Sequence, residues 1–229
     1  MTRDSRYDIL FEPVQIGPVR AKNRFYQAPH CNGMGRTFPS SMAAMRGIKA
    51  EGGWAVVSTE QVEIHPSTDF TPGTECRMWS DQDVPYLARM CDAVHEYDAL
   101  ASIELCHNGM HAPNTYSREV PLAPSHMTSA HHNLPVQARA MTRADIREFR
   151  RWHLAAAKRA QTAGFDIICC YAGHNLSLPS MFLHPRYNSR VAGELLRPDG
   201  SLVPIVRWTS LGLTLLALVL LPPSAYWRF

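Results

Sequence analysis

The sequence predicts an α/β fold, a partial (β/α)8 TIM barrel made of its first four βα units, followed by a hydrophobic C-terminal tail that matches none of them. Apolar runs and helical patterns alternate as strand, helix, strand, helix, strand, helix, strand. The strands are continuously apolar rather than alternating, the pattern of a parallel sheet covered by helices. No G-x-G-x-x-G or P-loop follows any strand, which disfavours a dinucleotide-binding sheet.

The elements follow in order. "FEPVQIGPVRAKNRF" places Pro and Gly-Pro between short β-prone runs, so a hairpin or turn should precede a first strand at 24–29. A helix is expected over 41–52, ending at Gly52-Gly53. "WAVVSTEQVEI" is the second strand, and 66–82 reads as loop. "DVPYLARMCDAVHEY" starts with an Asp cap and an early Pro, and Leu87, Met90, Cys91, Val94 and Tyr97 recur at helical spacing. "ALASIELC" is the third strand, followed by a proline-rich loop over 113–135. Thr142 and Asp145 form a capping-box shape at the head of "TRADIREFRRWHLAAAKRAQTAG", and Gly164 ends that helix. "FDIICCYAGH" is the fourth strand.

Composition bounds the function. A chain of 229 residues, 45% hydrophobic, holds one sizeable core. The formal charge of +3 is spread thinly, and its densest cluster, "REFRRWH", reads as a solvated helix face, so no nucleic-acid partner is expected. Six cysteines form no C-x-x-C pair, which removes that class of zinc or cluster site. The polar start "MTRDSRYDILFEP" has no leader-type apolar core, and with free thiols the chain reads as cytoplasmic.

A barrel carries its chemistry at the C-terminal ends of its strands. Here those ends are Pro29-His30-Cys31, Thr59-Glu60-Gln61, Glu104 to Cys106 and His107, and Tyr171 with His174. Polar or reactive groups at all four ends, on apolar strand bodies, point to one site at one mouth. Each residue also has a structural reading. Cys31 can serve as a small hydrophobe and His30 as a packing histidine. Glu104 can pair with an internal arginine, because an unpaired buried carboxylate is costly. Tyr171 can be a core aromatic with a satisfied hydroxyl, and Gln61 an outlying hydrogen bonder. His107, His111, His131 and His132 suggest a metal only superficially, since "HNGMHAPN" contains Gly and Pro and reads as loop; no metal site is expected.

Taken together, "DILFEPVQIGP", "NRFYQAPHC", "KAEGGWAVVSTE", "HAPN", "AAAKRAQTAGFDI" and "HPRYNSR" resemble the N-terminal half of the trimethylamine/dimethylamine/histamine dehydrogenase group of the Old Yellow Enzyme, or NADH:flavin oxidoreductase, family. The resemblance runs from Tyr7 to Arg190. It implies a barrel holding FMN at its strand C-termini, with Cys31 in the position that bonds covalently to the flavin. Pro29, His30, Thr59 and Glu104 would line the cofactor, and the glycines after Cys31 would let backbone approach it. Tyr171 and His174 match the catalytic tyrosine and histidine of the group, implying oxidation of a small amine. Gln61 stands where the trimethylamine enzyme has an aromatic residue, and it suits a substrate that keeps an N–H; Cys106 also replaces an aromatic in that pocket.

The resemblance stops at Arg190. Residues 1–190 therefore read as half of an FMN-binding barrel, and 191–229 as a divergent tail without the family's iron–sulfur ligands. The alternative reading is a truncated, catalytically inactive remnant. The uncharged run over 208–227 is near membrane-span length, although Pro222-Pro223 interrupt it. The electron acceptor is left open, and a self-associated pair of half-barrels is conceivable.

Overall fold

The computed structural model describes residues 4–71, 73–129, 136–189 and, as backbone only, 217–219. The expected hairpin is present. β1 (Val14–Ile16) pairs antiparallel with β2 (Val19–Ala21) around Gly17, whose φ of +53° suits glycine. Its apolar residues Val14, Ile16, Val19 and Ala21 pack on Ala55, Val56, Leu100 and Ile167. Those positions lie where the parallel strands begin, so the hairpin closes the N-terminal end of the sheet.

The chain then runs through β3 (Tyr26–Gln27), α1 (Pro39–Glu51), β4 (Val56–Glu63), β5 (Cys76–Arg77), α2 (Val84–His95) and β6 (Leu100–Cys106). Three short strands follow, β7 (Leu122–Ala123), β8 (Met127–Ser129) and β9 (Val136–Ala140). Next come α3 (Arg143–Ala163), β10 (Ile167–Cys170) and α4 (Leu178–Leu183). The four principal strands are parallel neighbours in the order β10-β6-β4-β3, an α/β arrangement with sequential strands side by side. One face carries Val57, Val62, Ile103, Leu105 and Ile168 against Met42 of α1, Met90 and Val94 of α2 and Ala156 of α3. Burying each of the larger side chains contributes about 1.5–3 kcal/mol.

A bulge interrupts β4. Ser58 pairs with Ser102 and Gln61 with Glu104, so Thr59 and Glu60 together oppose Ile103. The extra residue reverses the alternation: Val57 and Val62 both face the helices, and Gln61 joins Ser58 on the inner face.

α3 is framed as its sequence requires. Thr142 Oγ1 accepts the Asp145 N–H at 3.1 Å, and the Asp145 carboxylate accepts the Thr142 N–H at 2.7 Å. Gly164, at φ +101°, ends the helix in the left-handed region.

Five expectations are corrected. Asp83 places no side-chain cap on α2; its carboxylate accepts the Trp79 and Ser80 N–H groups of the preceding turn. The fourth strand covers Ile167–Cys170 rather than all of "FDIICCYAGH". The ladder of the first strand covers only Tyr26–Gln27 rather than 24–29; Pro29 has no N–H to donate and the chain leaves the sheet before it. The 66–82 loop contains β5, paired parallel with β4 through Val62↔Cys76 and Glu63↔Arg77, and short 3-10 turns. The 113–135 loop contributes β7 and β8 to a separate three-stranded sheet with β9. Strands this short carry no periodic signal.

β11 (Ala217–Val219), within the tail, pairs antiparallel with β10. The rest of 191–229, including nearly all of the 208–227 run, lies outside the described residues. Among the described residues no helix is long and apolar enough to cross a membrane.

Candidate active site

Parallel strands bring their C-terminal ends to one side, and several hydrogen bonds tie the residues there in segments. At the β3 end, Cys31 is exposed, and the next residue, Asn32, donates its backbone N–H to Glu60 Oε2 at 2.8 Å. Glu60 and Glu75 both adjoin the Cys31 thiol. Gln61 Nε2 donates to Glu75 Oε1 at 3.2 Å, while Gln61 Oε1 accepts from Cys106 Sγ at 3.5 Å. Gln61 and Glu104 are in register, as are Glu104 and Cys169. The Tyr171 N–H donates to Leu105 O at 3.0 Å, and the Tyr171 hydroxyl lies 2.5 Å from His174 Nδ1. His174 and Asn175 both have left-handed backbone, φ +57° and +55°, which turns the imidazole back onto the phenol and is uncommon outside glycine.

The electrostatics are those of a mouth that retains protons. Burial pushes the Glu104 carboxyl up to about 7. Burial, then the neighbouring Glu60 and Asp69 charges, pushes Glu75 up to about 7. Burial also raises the Cys31 thiol, with Glu60 and Glu75 adding to it, and raises the Tyr171 phenol, with Cys106 and Glu104 adding to it.

Several buried polar atoms here have no hydrogen-bond partner: Glu60 Oε1, Glu75 Oε2, Asn32 Nδ2 and Arg46 Nε. Each such atom costs about 1–3 kcal/mol unless something pairs with it. Ser58, Thr71, Trp79, Asn108 and Asn114 each keep such an atom as well, so the four near Cys31 belong to a wider set.

The predicted residues take particular places. Pro29 leads from β3 into the loop, and exposed His30 is gripped from below by Arg46 and Gln27. Thr59 fills the bulge: its hydroxyl accepts the Glu104 N–H at 3.0 Å and donates to Glu60 O at 2.5 Å, so it shapes the site through the sheet. The structural reading of Glu104 paired it with an internal arginine. The buried arginine is Arg46, and it turns to Gln27 and His30 instead. Gly35, rather than admitting a cofactor, admits backbone. A Cβ there would sit 1.9 Å from Thr74 O, so the Cys31 loop is pressed onto the loop that carries Glu75.

His107 and His111 part company. His107 Nδ1 accepts the Gly109 N–H at 3.0 Å and Nε2 meets Ser67 Oγ at 3.0 Å, whereas His111 Nδ1 meets Ser129 Oγ at 3.0 Å. His131 and His132 lie outside the described residues, among which no cluster of three or more His, Cys, Asp or Glu is placed to hold a metal. Sequence reasoning missed Arg46, Gln27 and Glu75. An arginine in mid-helix and a glutamate in a loop read as solvated until the sheet shows which way they turn.

The strand ends thus bring together a thiol, two carboxyls whose protonated form burial favours and a phenol–imidazole pair. Residues 9–194 match the NADH:flavin oxidoreductase / NADH oxidase family, and the chain belongs to it. The dimethylamine dehydrogenase of Hyphomicrobium sp. is 43% identical over 196 residues, covering 83% of this chain and 26% of that protein. The structure of histamine dehydrogenase from Rhizobium sp. 4-9 superposes with a TM-score of 0.80 at 54% identity, covering 82% of this chain and 29% of its own. The 6-hydroxypseudooxynicotine amine oxidase of Pseudomonas geniculata N1 superposes with a TM-score of 0.79 at 47% identity, covering 92% of this chain and 31% of its own. The chain thus spans between a quarter and a third of these relatives' length.

Proposed function

We propose that this chain is the cysteine-bearing half of an FMN-dependent barrel oxidoreductase that oxidises a small amine. Residues 1–190 supply the first four βα units and 191–229 a divergent tail. The observation that carries the reading is the gathering of Cys31, Glu60, Glu75, Gln61, Cys106, Tyr171 and His174 at the strand ends, tied in segments by the Asn32–Glu60, Gln61–Glu75, Cys106–Gln61 and Tyr171–His174 hydrogen bonds. Support also comes from the amine-oxidising names of the relatives.

FMN, when bound, supplies the two-electron acceptor. Pro29, His30, Cys31 and Glu104 would hold it, Cys31 through a thioether, with Thr59 fixing the sheet beneath. Gln61 and Glu75 form the acceptor wall for an amine that keeps an N–H. The Tyr171 hydroxyl, 2.5 Å from His174 Nδ1, fixes that ring. The pair is placed to favour the free-base amine, whose lone pair assists loss of hydride. Cys106, small and buried, leaves the pocket wider than an aromatic would.

Colour tests the proposal. The purified chain is expected to be yellow, and after acid precipitation the pigment should stay with the polypeptide but leave it in C31A. A colourless wild-type chain would favour the inactive-remnant reading. Pigment that C31A retains through acid would overturn the Cys31 attachment.

A further inference from the structure

Arg46 sits in the middle of α1 and is fully buried. Its Nη1 lies 3.0 Å from Gln27 Oε1 and 3.1 Å from His30 Nδ1, and its Nη2 donates to His30 O at 2.8 Å. A guanidinium has donors only and stays charged, so the ring nitrogen facing it presents a lone pair. The same contact settles the Gln27 amide. With its oxygen held by Arg46, its Nε2 is the end that reaches His30 Nδ1, at 2.9 Å. Two donors therefore converge on one imidazole nitrogen, and the ring proton belongs on the other.

We propose that Arg46 is a positioning residue that holds His30 as the neutral Nε2–H tautomer, so that the imidazole beside Cys31 presents a hydrogen-bond donor without a cationic charge. A neutral donor stabilises an electron-rich carbonyl of a bound ring while leaving the negative charge of a reduced ring to other groups. That consequence rests on the function proposed above; the tautomer does not. The surroundings agree. Burial, then Arg46 and Lys49 from α1, disfavour a second proton on His30, opposed by the Ala28 backbone. From the sheet side, Glu60 faces the guanidinium, as do the Cys31 and Cys76 thiols. A purely structural Arg46 would need only its bond to His30 O, and removing it would leave the ring's proton where it was.

The test is a long-range proton–nitrogen NMR spectrum of the intact chain labelled with 15N-histidine, His30 being assigned by the signal lost in H30N. At pH 7 the expected pattern is an unprotonated Nδ1 and a protonated Nε2, with the ring charging only below the ordinary histidine midpoint of about 6.5. In R46M the tautomers should mix and the midpoint should rise toward that value. A wild-type ring that carries its proton on Nδ1, or is imidazolium at pH 7, overturns the proposal. So does a folded R46M whose spectrum is unchanged. If R46M does not fold, the wild-type spectrum decides alone. No flavin is needed, so a colourless chain with the expected tautomer would count against the functional reading and for Arg46, and a yellow chain with the wrong tautomer the reverse.

Discussion

The helix side of the sheet and its inner mouth bury polar groups in opposite ways. On the helix side, the His107 ring lies between the Gly109 N–H and Ser67 Oγ, 5.9 Å from the Trp152 ring. His65 stacks on Trp152 at 3.7 Å and meets Ser67 Oγ at 2.8 Å, and His153 Nδ1 meets Phe149 O at 3.3 Å. The chain itself closes those groups. At the mouth, Glu60, Glu75, Asn32 and Arg46 each keep a buried atom without a partner. Burial alone therefore does not mark a site here. Asn108, the residue after His107, also keeps its Nδ2 unpaired, so the contrast lies between these particular groups rather than between whole regions.

The largest blow to the mouth should come from G35A. The added Cβ would meet Thr74 O at 1.9 Å on a backbone already at φ +35°. The change should cost about 3 kcal/mol or more, roughly a 6–12 °C fall in Tm by calorimetry. An unchanged Tm would mean that the Cys31 and Glu75 loops are not pressed together.

Acidity separates the two regions more sharply. Glu104 and Glu75 have folded pKa values raised from 4.5 to about 7, so their stabilising contribution is complete below 4.5 and is lost as pH rises through 7. E104Q and E75Q, which mimic the protonated acids, should each remove about 1–3 kcal/mol of that decline, read as Tm against pH. His65 and His153 go the other way. Their folded pKa values are lowered from 6.5 to about 4, so their contribution is complete above 6.5 and is lost as pH falls through about 4. H153N should flatten this acid arm by about 1–2 kcal/mol and leave the alkaline arm alone. One variant that moved both arms would erase the distinction between the regions.

The smallest effect belongs to the outer layer. T142A removes one half of the capping box on α3 and should cost about 1 kcal/mol, roughly 2–4 °C in Tm, with no change at the mouth.

Much of the frame was legible because local signals and tertiary structure agree. The early Pro85 placed the start of α2, Thr142, Asp145 and Gly164 placed α3, and the Gly17 turn placed the hairpin. The apolar strands put Cys31, Gln61, Glu104 and Tyr171 at one end, because parallel strands share a direction. The rest depended on partners distant in sequence. β5, β7 and β8 are two or three residues long and exist only through pairing. The bulge that turns Gln61 inward is a mismatch between β4 and β6, and no one strand carries it alone. Arg46 looked like any helix-surface arginine, and its burial beneath His30 follows from how α1 lies on the sheet.

If the unpaired atoms at the mouth exist to hold a flavin, added FMN should stabilise the chain even where attachment is impossible. The measurement is the Tm of C31A as FMN is titrated. At a hundredfold excess over Kd, binding contributes about 2.7 kcal/mol, a rise of roughly 5–10 °C for a chain of this size. A melting temperature that ignores FMN at every concentration would contradict the account.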